Sequence, residues 1–204
     1  MNLQKKSLFM LAALFVASSS LQANSSGAVA AARAASAVAH AANMQSGVEP
    51  SQDLSDAVVA TRAHVRAVGK LYQMPSVTDA QKYTRQTGEI FAKYLTPVIS
   101  SNQELKELLP MHKWVAETIG VDAHRKIATA SNAIEAVQVA HKAAKAVDLL
   151  ASSALHTSMA ETATNQSVQR VNAEAAEAQN EALESVQKCL MINPVMHRHY
   201  GSRS

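Results

Sequence analysis

Between Leu54 and Tyr72 the larger apolar side chains recur at Leu54, Val58, Thr61, Val65, Val68 and Tyr72, in alternating steps of four and three. That rhythm puts all six on one stripe of a helix, the pattern of a heptad seam. Arg62, Arg66 and Lys70 fall on another face of the same helix, a row that either meets an acidic partner or stays solvated. Helix is predicted again from Thr78 and Asp79, carrying Tyr83, Thr87, Ile90, Phe91, Tyr94, Leu95 and Val98, with Pro97 kinking or ending it. Ser101 with Glu104 reads as a capping box for a short helix stopped by Pro110. Met111 to Ile119 gives another short helix around Trp114, with Gly120 as its C-cap.

The longest signal is Val121 to Asn193, which contains no Gly and no Pro. Since those two residues are the strongest local breakers, helix is the economical reading. Asp122 can cap its start. Ile127, Ala130, Ile134, Val137, His141 and Ala144 form one seam, and Val168, Val171, Ala175, Ala178, Ala182, Val186 and Cys189 another. Register is lost between them, in the Ser- and Thr-rich interval Ser152 to Gln166. A single rod on the order of 100 Å and a hairpin both satisfy the pattern. Charge favours the hairpin: a turn near Ser158 to Ala160 sets Lys145 beside Glu174 and Lys142 beside Glu177. The absence of a turn Gly or Pro argues for the rod. Seams of Ala and Val bury little area, so a hairpin needs a third helix from Leu54 to Tyr72 or from another chain.

Upstream, Ser25 to Asn43 is Ala-rich and predicts a weakly held, mobile helix ended by Gly47 to Pro50, after which Ser51 or Asp53 caps the next one. Every aromatic after the first segment except Tyr200 lies between Tyr72 and Trp114, which places the compact core there. The fold class expected is therefore all-α: an elongated helical bundle with an aromatic-rich core at 51–120 and a long C-terminal hairpin or rod at 121–193. The Ala-rich helix and linker occupy 24–50, and a loose tail follows from 194 to 204.

Residues 1–23 read as a secretory signal peptide: Lys5 and Lys6, an apolar run Leu8 to Ala17 too short to span a bilayer, then small polar residues. Cleavage is expected after Ala23, with Ser20 as the alternative. Losing Lys5 and Lys6 brings the formal charge from +3 to +1, so the basic composition is no argument for nucleic acid. Cys189 is the only cysteine, so an exported chain has no internal disulfide framework. It is expected to be either a buried small hydrophobe or an intermolecular bridge.

Candidate chemistry is sparse. No Gly-rich phosphate loop, nucleophile elbow, His-Glu-x-x-His or Cys pair is present. Cys189, Met191, Met196, His197 and His199 crowd the C-terminus with soft sulfur and imidazole, a set that suits copper, but a loose tail is a poor cage. His141 reads as a core histidine, and His112 with Trp114 as part of the aromatic core. The expectation is a non-enzymatic, exported helical interaction or assembly protein of the bacterial envelope, in the manner of secretion or conjugation machinery. It has no cofactor, no committed metal ligand, and a partner protein or a second copy on its helical seams. Nucleic acid and a stable membrane anchor after leader removal are not expected. The alternative is a periplasmic copper-type metal or small-ligand binding protein, using the C-terminal cluster or a pocket among Tyr83, Tyr94 and Trp114.

Overall fold

Asparagine, not glycine or proline, interrupts the long Ala-rich run. The computed structural model describes residues 25–191, and no strand forms among them. The helices are α1 (Ser25–Ser46), α2 (Gln52–Gly69), α3 (Val77–Ile90), α4 (Thr96–Ser101), α5 (Leu109–Glu117), α6 (His124–Ala128), α7 (Ala133–Thr162) and α8 (Gln166–Leu190), with single 3-10 or π turns joining several of them. None is long and apolar enough to cross a membrane.

Two breaks exclude the rod. Asn132 adopts an extended conformation and its side chain accepts from Glu135 N at 2.9 Å, while the Glu135 carboxylate accepts from Ser131 N at 2.8 Å. This reciprocal cap starts α7 without a glycine. Asn165 does the same for α8, accepting from Ser167 N at 2.9 Å. The hairpin turn therefore lies at 163–165, beyond the Ser158 to Ala160 position expected. With that shift the pairs Lys145–Glu174 and Lys142–Glu177 do not form. Glu174 pairs within its own helix with Arg170 at 2.7 Å.

Other local expectations are corrected in the same way. Asp122 and Gly120 both lie inside a π turn, Thr118–Ala123, which carries the chain straight from α5 into α6, so neither caps a helix. Asn102, not Ser101, caps the following turn, accepting from Glu104 N at 3.0 Å. Pro110 sits in the first turn of α5 and opens that helix, because proline has no N–H to lose there. Gly47 does end α1, at φ +68°, a backbone conformation that glycine adopts without steric cost.

α7 is the centre of the bundle. Its alanines Ala136, Ala140, Ala143, Ala146, Ala151 and Ala154 are fully buried, and small side chains on nearly every face let neighbours approach closely. α8 packs along one side of α7 and α2 with α3 along the other, while α1 lies on α8. The hairpin's need for further helices is thus met within the chain by α1 and α2. In α2 the expected seam holds: Leu54, Val58, Thr61 and Val68 are buried and Val65 half-buried, with only Tyr72 largely exposed.

The core is not aromatic. Of the aromatics between Tyr72 and Trp114 only Phe91 is buried; apart from Gln187 the large fully buried side chains are aliphatic, among them Leu54, Leu95, Ile99, Leu105, Leu150, Leu183 and Leu190. One continuous apolar cluster runs from α2 through α7 to α8, so residues 51–120 share their core with the hairpin. Ile134 is 53% exposed and Cys189 is exposed, both placed wrongly by the seams. The buried stripe of α8 runs through Val186, Gln187 and Leu190, which rotates Cys189 outward. The expected signal peptide (1–23), Met196, His197 and His199 lie outside the described residues.

Candidate functional site

α1 and α2 stand on different members of the hairpin, and a cleft opens between them over α7. One lobe, of about 490 Å³, takes Arg33, Ser36 and His40 from α1, Arg62, Val65 and Arg66 from α2, Lys145, Asp148 and Leu149 from α7, and Gln179 from α8. A second lobe, of about 440 Å³, shares Ser36, His40 and Arg62 and continues past Asn43, Leu155, His156 and Met159. The α1 contributors recur at helical spacing, so one face of that helix supplies all of them.

The charge balance in the first lobe is one-sided. Arg33, Arg62, Arg66 and Lys145 meet a single carboxylate, Asp148. Arg62 Nε lies 3.9 Å from Asp148 Oδ1, which also accepts from Thr61 Oγ1 at 2.9 Å. Burial raises the Asp148 pKa, opposed by the Thr61 bond and then by Arg62, Arg33 and Arg66. Lys145 is pushed below its ordinary value, by burial first and then by Arg33 and Lys142. A lysine whose charge is disfavoured by burial and by neighbouring cations marks a lobe short of negative charge.

Beneath the second lobe runs a chain of polar side chains from three helices. Ser36 Oγ is 2.8 Å from His156 Nε2, and His156 Nδ1 is 3.1 Å from Asn172 Oδ1. Asn172 Nδ2 donates to Asn43 Oδ1 at 2.7 Å and to the Val168 carbonyl at 3.0 Å. Because that amide nitrogen faces a backbone carbonyl, the Asn172 oxygen must face the imidazole and can only accept. His156 Nδ1 therefore carries the proton, and Nε2 is free to accept from the Ser36 hydroxyl. Burial lowers the His156 pKa, against the Asn172 bond and with Arg62 and His40. The ring is neutral at pH 7.

Of the residues singled out from sequence, Arg62 and Arg66 reach the cleft and Lys70 does not line it. Cys189 and Met191 are exposed at the end of α8, and no group of three or more His, Cys, Asp or Glu is placed to hold a metal ion among the described residues. Tyr83, Tyr94 and Trp114 line neither lobe. His112 stacks on Phe91 at 4.7 Å, and His141 meets Tyr72 edge-on at 5.5 Å. Ser36, His156 and Asn172 carry no sequence motif; their separations of 120 and 16 residues come together only through the tertiary fold.

The fold and the site define an all-α bundle with a basic cleft and a hydrogen-bonded Ser-His-Asn chain beneath it. No protein-family model, curated protein or solved structure matches this chain.

Proposed function

We propose that the protein is an exported helical interaction or assembly protein of the bacterial envelope, of the kind secretion and conjugation machines use, and that its contact surface is the cleft between α1 and α2. One observation carries the reading: Arg33, Arg62, Arg66 and Lys145 converge on the first lobe with Asp148 as its single carboxylate, while Glu49 lines the second. Val65, Leu149 and Leu155 give the groove apolar walls, so an amphipathic helix with acidic flanks fits both its chemistry and its shape. The exported address rests on residues 1–23, through the basic start and short apolar run. A volume of about 490 Å³ also suits a small anionic ligand, the second reading.

Site-specific photocrosslinking of the full chain in the envelope of a Gram-negative host separates these. A crosslinker at Ala37 is expected to give a discrete protein adduct, and one at Glu177 on the outer face of α8 none. Combining Arg33→Glu with Arg66→Glu is expected to reduce the Ala37 adduct at least about tenfold, since reversed charges both remove attraction and add repulsion. Adducts of equal yield from both faces, or adducts indifferent to the reversal, count against the cleft as the docking surface. A cleft that yields no protein adduct yet binds a small anion supports the second reading.

A further inference from the structure

We infer that Ser36 is a nucleophile: Ser36, His156 and Asn172 form a serine–histidine–amide relay that opens on the cleft and accepts an acyl group from an anionic ester. The inference goes beyond docking, because a contact surface requires no activated hydroxyl. Three observations meet here. The Ser36 hydroxyl lies 2.8 Å from His156 Nε2, within the reach a general base needs. Asn172 fixes the tautomer that leaves Nε2 as acceptor, and its own amide is held by Asn43 and the Val168 carbonyl. Ser36 lines both lobes of the cleft and His156 lines the second, so a molecule held in the cleft meets the hydroxyl and its base together.

The step balances without any co-reactant but water. As Ser36 Oγ bonds to the acyl carbon, its proton passes to His156 Nε2. Collapse of the tetrahedral adduct breaks the ester C–O bond, and the leaving oxygen takes that proton. Water then repeats the sequence, releasing the carboxylic acid and restoring the hydroxyl. Ser36 lies within α1, where backbone N–H groups are committed to carbonyls one turn back, so α1 itself supplies no main-chain oxyanion hole. Negative charge on the adduct falls instead to Arg62, which lines both lobes together with Ser36. General-base assistance of this kind contributes ~10²–10⁴-fold, so turnover is confined to activated esters. The surrounding cations select an ester that itself carries a carboxylate.

Treating the intact full chain with a fluorophosphonate probe tests this. One probe mass is expected on the peptide containing Ser36, none on that peptide in Ser36→Ala, and a labelling rate about 100-fold lower in His156→Gln. In the unmodified chain the rate is expected to hold constant around neutral pH and to fall on acidification as the imidazole, its pKa lowered by burial, takes a proton, a profile that needs no folded variant. The mono-p-nitrophenyl ester of succinate is expected to turn over faster than the neutral acetate ester, an advantage lost in Arg33→Ala with Arg66→Ala. Absence of label on Ser36, or label accumulating at the same rate in His156→Gln with no dependence on pH, overturns the inference. Crosslinking at Ala37 needs no nucleophile, so failure here leaves the docking surface standing.

Discussion

Asn172→Leu is expected to lower stability by about 3 kcal/mol and the melting temperature by roughly 10 °C. Asn172 is fully buried and is the node through which α1, α7 and α8 share polar bonds. Leucine has the same number and branching of heavy atoms and is somewhat larger, so no cavity opens. What is lost is the partner of His156 Nδ1–H and of the Asn43 amide, both enclosed, and each orphaned group costs ~1–3 kcal/mol. Asn43 retains only a weak contact to Met159 Sδ at 3.4 Å. Thermal denaturation followed by circular dichroism measures the loss. An unchanged melting temperature means that the three helices do not depend on this amide.

Acidification is expected to have an effect of the same size. Burial holds His141 down to about 4, with Lys145 and Arg33 adding to the shift, and burial likewise lowers His64, His112 and His156. Each of these folded-state values lies below the unfolded one of 6.5, so between the two the unfolded chain binds more protons. Stability is then complete above pH 6.5, declines as pH falls through that value, and carries the full penalty below the folded pKa. For His141 the window runs from 6.5 to about 4. It amounts to at most about 3 kcal/mol, discounted because the ring keeps some exposure to solvent. Asp148 opposes the trend, since burial raises its pKa and protonation relieves that cost. Urea denaturation at pH 8, 6 and 4.5 is expected to show a falling midpoint at unchanged slope. A midpoint flat across this range contradicts the buried, neutral histidines.

The helices were legible because their periodicity is local. Leu54, Val58, Thr61 and Val68 announce their stripe, and Gly47 announces the end of α1. The breaks inside 121–193 were harder to see, because Asn132 and Asn165 stop a helix by hydrogen bonding and not by backbone restriction. Asn132 followed by Glu135 is a capping signature that was readable in principle. Ser152, Ser153 and Ser158 resemble loop residues but are buried on α7, and that misplaced the turn. The aromatic cluster misled for a different reason: area per aromatic is large, yet the continuous helical face of α7 collects more contacts from alanine and leucine. In the site, Arg62 and Arg66 were visible as a row on one helix. Ser36, His156 and Asn172 were not, because no spacing rule links side chains that meet across three helices.

Docking of α1 on the hairpin underlies the cleft, the relay and the Asn172 effect. Only Ala32, Ala39, Val29 and Asn43 of α1 are buried, so polar bonds such as Gln179 Nε2 to the Ala32 carbonyl at 3.0 Å fix its position more than area does. Hydrogen exchange along the native full chain at neutral pH reads this helix directly. A docked α1 predicts that amides from Ser36 to Asn43 exchange at least about 100-fold more slowly than in a free peptide of the same sequence. Exchange of those amides at free-peptide rates, while α7 and α8 remain protected, would contradict it.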